Sequence, residues 1–185
     1  MYIDFVDNIL AILTIIGDVF ILFSVLLWLL SYKSEQAKGW LNQVFQPIDA
    51  RLILSALIVS VVATSGSLFY SEIAGYDPCK LCWFQRILMY PQVILLAIAY
   101  KKSDIEITTY SLALSILGLA IAVYHYIIQF SQSPLVPCST VGYSVSCSDH
   151  FTLSYGYITI PMMAMTAFAL IIIFMIRLET KPKEK

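Results

Sequence analysis

The sequence predicts an all-α membrane protein, a four-helix transmembrane bundle core plus one additional N-terminal transmembrane helix. Three observations predict it. Of 185 residues, 59% are hydrophobic and 12% charged, where a soluble domain carries ~25% charged residues. Five apolar runs fall within the ~17–25 residues that a helix needs to cross a bilayer. Lysine and arginine collect in alternate connections between those runs, as they do in membrane proteins with a fixed orientation. The net charge of −1 provides no global field to recruit nucleic acid, so partners other than membrane lipid must be recognised locally.

The first run, Ile9 to Leu30, is an anchor and not a cleavable signal. Asp4 and Asp7 precede it, and no basic residue does, whereas a signal peptide has a positive n-region and a shorter apolar stretch. Asp18 lies near its centre beside Gly17. An ionisable group there costs roughly 2.5–3.5 kcal/mol unless it finds a partner, and the expectation is a protonated Asp18 hydrogen-bonded to a neighbouring helix that Gly17 lets come close. Ser31 to Arg51 is polar, with Trp40, Leu41, Val44 and Phe45 on one side of a helix, the pattern of an element lying in the membrane interface.

Leu52 to Tyr70 is the second span, and the polar loop from Ser71 to Pro78 leads to Cys79. The third span runs from about Trp83 to Tyr100 with Pro91 inside it, where the missing N–H and the ring predict a kink. After the charged turn Lys101 to Thr108, Thr109 to Phe130 forms the fourth span and carries His125 near its far end. Ser131 to Gly156 is a loop without Lys or Arg that holds Cys138, Cys147, Asp149 and His150, and long loops of this kind are often functional. Tyr157 to Ile176 is the fifth span, with Pro161 early in it. These boundaries divide the chain into an anchor and cytoplasmic linker at 1–51 and a four-helix domain at 52–185.

Summed over alternate connections, nine cations (Lys33, Lys38, Arg51, Lys101, Lys102, Arg177, Lys181, Lys183 and Lys185) fall on one side and only Lys80 and Arg86 on the other. The positive-inside bias then puts the N-terminus outside, the C-terminus in the cytoplasm and both cysteine pairs on the extracytoplasmic face of a cell membrane. It also puts His125, Pro91 and Pro161 in the outer half of the bilayer, where they can border one pocket.

The chemistry centres on Cys79-Lys80-Leu81-Cys82. A Cys-x-x-Cys closes a small redox-active ring, and neighbouring cations favour the thiolate. With a second pair on a loop on the same side, a disulfide can pass by thiolate attack through a mixed disulfide. Such a relay needs a more oxidising final acceptor, and the sequence has no haem Cys-x-x-Cys-His, no Gly-x-Gly-x-x-Gly and no iron–sulfur cysteine run. A lipid-soluble acceptor remains. Arg86, about a turn inside the third span from Cys82, is placed to polarise a quinone carbonyl.

The stretch Cys79-x-x-Cys82-Trp83-Phe84-Gln85-Arg86-Ile87-Leu88-Met89-Tyr90-Pro91 resembles the signature of the DsbB/BdbC disulfide oxidases. Tyr124-His125, the second cysteine pair and Gly156-Tyr157-Ile158-Thr159-Ile160-Pro161 follow in that family's order, over about Leu52 to Ile176. The resemblance implies an enzyme, a protein-disulfide oxidoreductase that reoxidises an extracytoplasmic DsbA-like thioredoxin-fold thiol oxidase and passes electrons to a quinone cofactor, ubiquinone or menaquinone. It also implies the roles: Cys138 exchanging with the partner, Cys147 completing the loop disulfide, Cys79 exchanging with that loop, and Cys82 facing the quinone. Arg86 and His125 would stand on the quinone side, with no metal. The first helix lies outside the resemblance, and the Cys138-x8-Cys147 spacing is the compact, Gram-positive type.

Three other readings compete. In a structural protein with disulfide-stapled loops, a ring over two intervening residues would constrain the unfolded chain very little. In a four-cysteine zinc site, both pairs would be expected as short knuckles, and the second spacing here is eight. A bundle like vitamin K epoxide reductase shares the thiol and quinone chemistry, but there the Cys-x-x-Cys comes late and here it comes first.

Overall fold

The computed structural model describes residues 2–31, 34–49, 51–131 and 152–180. Among them the chain forms six helices: α1 (Tyr2–Ser31), α2 (Glu35–Asp49), α3 (Leu52–Leu68, continued by a π-helical turn at Phe69–Ile73), α4 (Lys80–Lys102), α5 (Ile107–Ser131) and α6 (Ile160–Thr180). All except α2 are long and apolar enough to cross a membrane. The expected class is therefore present, a helical membrane bundle.

The four spans α3 to α6 close a ring in which α3 packs on α4, α4 on α5, α5 on α6, and α6 back on α3. Much of the outside is apolar. Ile58, Ile87, Ile94, Leu117 and Ile127 are more than half exposed, because lipid is as apolar as leucine and leaves little to gain by burying them. Close approach and polar pairing hold the interior instead. A Cβ on Gly118 of α5 would run into the Phe168 ring of α6, and Phe168 is completely buried. Fully buried Gln92 of α4 accepts hydrogen bonds from Ser111 and Ser115 of α5 at 2.8 and 3.2 Å and donates to the Leu88 carbonyl.

Helix α1 packs outside the ring, against α2 and α6. Its Gly17 abuts Thr166 and Leu170, and Asp18 Oδ1 accepts a hydrogen bond from Thr166 Oγ1 at 2.6 Å. The neighbour expected for Asp18 is thus in place. Near the N-terminal end of α1, Asp7 accepts from Tyr70 of the π-helical turn at 2.7 Å and from Ser154 at 2.6 Å. At the other end, Phe20 contacts Phe45 of α2 and Phe174 of α6.

Trp40, Pro91 and Pro161 each have a specific place in their helices. On α2, Leu41, Val44 and Phe45 pack inward, but Trp40 is 64% exposed; an interfacial tryptophan gains by keeping its ring at headgroup depth. Pro91 lies at the midpoint of α4, and the helix runs through it. Pro161 is the second residue of α6. In a first turn the N–H that proline lacks has no helical acceptor, so the ring opens the helix without kinking it.

Candidate active site

The third span starts earlier than the apolar pattern indicates, and this defines the site. Cys79 is the N-cap of α4 with an extended backbone (φ −69°, ψ 171°), and Cys82 is the third helical residue. The first helical bond runs from the Trp83 N–H to the Cys79 carbonyl at 3.1 Å. One turn of helix stacks the two sulfurs 3.5 Å apart as free thiols. Positioned at the positive end of a helix, the Cys79 sulfur is favoured as thiolate.

Helix α5 supplies the partner. His125 is 2% exposed, and its Nε2 lies 3.6 Å from the Cys79 sulfur while its Nδ1 lies 3.1 Å from the Gln85 side-chain nitrogen. A Gln85 N–H donating to Nδ1 fixes the neutral ring as the Nε2–H tautomer, which turns the remaining hydrogen toward Cys79. The Cys79 thiol is held well below the ordinary thiol range, chiefly by its hydrogen bond with Cys82 and then by His125, against burial, which acts the other way. Of the two thiols, Cys79 is the one whose surroundings favour the thiolate.

The two sulfurs face different surroundings. Cys79 is 3% exposed and packs on Ile128 of α5. Cys82 lines a cavity of about 480 Å³ between α1, α3, α4 and α6. Arg86, one turn further along α4, lines it too. The Arg86 Nε and Nη2 donate to the Ser67 hydroxyl and carbonyl oxygens, both at 2.9 Å, and its guanidinium lies 5.3 Å from the Trp83 ring centre. Tyr90 donates to the same hydroxyl at 3.2 Å. Ser67 lies just before the π-helical turn of α3, and such turns occur often at functional sites.

The structure thus brings four of the six sequence-derived residues together: Cys79, Cys82 and His125 in one cluster, and Arg86 beside Cys82. Cys138 and Cys147 lie outside the described residues. His125, Pro91 and Pro161, expected to border one pocket, do not line the cavity at Cys82 and Arg86, and His125 instead meets Cys79. Sequence reasoning gave no role to Gln85, Ser67, Tyr90 or Tyr70. Gln85 stands one turn from Cys82, so helix periodicity alone could have drawn attention to it. Ser67 and Tyr70, across a loop, left no such signal. Among the described residues, the Cys79, Cys82 and His125 ligand atoms lie within 4.8 Å of one another.

The model for the "Disulfide bond formation protein DsbB" family matches residues 49–178. The chain belongs to the DsbB family. It is similar to the disulfide bond formation protein C of Bacillus subtilis strain 168, 41% identical over 134 residues, which are 71% of this chain and 95% of that protein. The SPbeta prophage-derived disulfide bond formation protein B of the same strain is 44% identical over 131 residues, 71% of this chain and 87% of that protein. The probable disulfide formation protein C of Halalkalibacterium halodurans is 41% identical over 125 residues, 66% of this chain and 88% of that protein. No solved structure gives a significant match. As a DsbB-family chain with five apolar spans, it is a multi-pass membrane protein with the disulfide chemistry of that family.

Proposed function

We propose that the chain is a quinone-linked disulfide oxidase working on the extracytoplasmic face of the cell membrane, with residues 52–185 as the redox unit. The reading is carried by the division of labour within Cys79-x-x-Cys82. One thiol is activated by His125, and the other faces an apolar cavity beside a cation. The nine-to-two division of Lys and Arg supports the orientation.

In this reading a DsbA-like thioredoxin-fold partner gives up two electrons as its dithiol becomes a disulfide, and the Cys138–Cys147 disulfide opens to two thiols. Those thiols then reduce the Cys79–Cys82 disulfide through a mixed disulfide and close again. When Cys79 and Cys82 re-form their bond, two electrons and two protons leave toward the cavity. A quinone bound there supplies a two-electron, two-proton acceptor, and an apolar cavity with a cation and a thiol at its polar end fits ubiquinone or menaquinone. Arg86, fixed on Ser67, holds a positive charge where a carbonyl oxygen gains electrons. His125 keeps Cys79 ionised for attack and stays next to the sulfur as the proton is released.

The test is quinone-dependent oxidation of a reduced thioredoxin-fold dithiol protein by the purified chain. Cys82→Ser abolishes quinone reduction. Cys138→Ser leaves Cys79 and Cys82 able to react with quinone but stops oxidation of the partner. Arg86→Ala raises the apparent KM for quinone. Equal activity in the two cysteine variants, or a wild-type chain that reduces no quinone, defeats the proposal.

A further inference from the structure

The cavity at Cys82 is a slot whose long wall is made by the helix outside the family match. Its lining on α1 is Leu10, Leu13, Thr14, Ile16, Gly17 and Phe20, and on α3 it extends from Ser55 to Tyr70. Fifteen residue steps of α3 span about 22 Å. Cys82, Gln85, Arg86 and Tyr90 line the slot along α4 beside Ser67 and Tyr70 of α3, and the rest of it, Thr14, Ser55 and Thr166 apart, is mainly apolar. A polar head with a long apolar tail fits that distribution.

Helix α1 is a fixed wall. It is fastened near its N-terminal end by Asp7 to Tyr70 and Ser154, in the middle by Gly17 and Asp18 to α6, and further along by Phe20 to Phe45 and Phe174. It meets α3 where Leu10 rests on Gly66, which leaves the slot open between the two helices. The family match starts at residue 49. With 95% of the Bacillus subtilis protein C already matched, that relative has no length left for a 30-residue helix.

We infer that α1 is a specificity element of the acceptor site, forming with α3 a slot that takes the isoprenoid tail of the quinone whose ring lies at Cys82 and Arg86. This rests on the quinone reading and adds to it: the preferred acceptor is a long-tailed membrane quinone, selected by a helix that shorter relatives lack. The slot continues directly from the redox sulfur, which favours a quinone tail over a bilayer acyl chain.

The experiment compares a tailless quinone with its isoprenyl-tailed counterpart, using the full chain and a reduced thioredoxin-fold donor. Thr14→Phe and Ala63→Phe fill the slot from opposite walls, whereas Leu22 is 71% exposed and outside the slot, so Leu22→Phe leaves it unfilled. In each slot variant, the ratio of kcat/KM for tailed over tailless quinone falls about tenfold, the effect of overfilling a fitted apolar pocket. Leu22→Phe leaves the ratio at the wild-type value. An unchanged ratio in both slot variants, or an equal loss with both quinones, overturns the inference while the quinone oxidase stands. Phospholipid in place of quinone released from the wild-type protein, and lost from Thr14→Phe, overturns it as well. A wild-type chain that reduces neither quinone instead defeats the proposed function.

Discussion

Gln85, His125 and Cys79 form a short line of hydrogen bonds across the α4–α5 interface, and its effect on reactivity has a definite sign. Because the Cys79 pKa is lowered, the thiolate persists on acidification below the ordinary thiol pKa of ~8.5 and is lost only as pH falls through the lowered value. Removing a stabiliser of the charged form moves that loss to higher pH. In His125→Ala, the midpoint of the pH profile for Cys79 alkylation, followed by mass spectrometry, therefore rises. In Gln85→Leu the ring loses the donor that fixes its tautomer, and the same midpoint rises by about one pH unit, equivalent to one buried hydrogen bond. A profile unchanged in both variants refutes the assignment. Asp18 is the contrasting residue. An asparagine there can still accept from Thr166, so Asp18→Asn shifts stability by less than about 1 kcal/mol and leaves turnover intact, checked by thermal unfolding in detergent and by the dithiol assay.

Between elements, polar and small residues do the work that hydrophobic burial does in soluble proteins. Gln92 joins α4 to α5 through Ser111 and Ser115. Gln92→Leu leaves both hydroxyls without that acceptor, and unfolding by a denaturing detergent should show a loss of about 1–2 kcal/mol, near the top of the range for interhelical hydrogen bonds in bilayers. A loss below measurement error would mean that α4 and α5 are held by packing alone. The turn before α6 is equally specific: Tyr155 and Gly156 both have positive φ, at 53° and 81°, and Ser154 and Ile158 bond across them. That turn places the Ser154 hydroxyl against Asp7, tying α1 to the segment that follows the second cysteine pair in the chain.

Over the whole molecule, the proposed direction of electron flow depends on one orientation, and that can be measured. In sealed vesicles of known sidedness, a membrane-impermeant thiol reagent should label the reduced chain only from the extracytoplasmic side; labelling from the cytoplasmic side reverses the topology. By itself the sequence determined the five spans, because length and apolarity set which segments can cross a bilayer, and it determined the redox pair, because two thiols in a Cys-x-x-Cys carry their chemistry in local spacing. It also marked Arg86 as a candidate through its position a turn inside a span, and His125 through the resemblance of the motifs around it. The resemblance already gave the two sulfurs different partners, but only the tertiary structure put Cys79 against His125 and Cys82 on the cavity. That depends on α4 beginning at Lys80 rather than near Trp83, which makes Cys79 a cap facing His125 and turns Cys82 toward the cavity. Only it showed that Ser67 holds Arg86 and that α1 walls the cavity, since both come from contacts between helices far apart in the chain. A pattern read along one helix records which face is apolar, and in a membrane nearly every face is, so it cannot say which neighbour that face will meet.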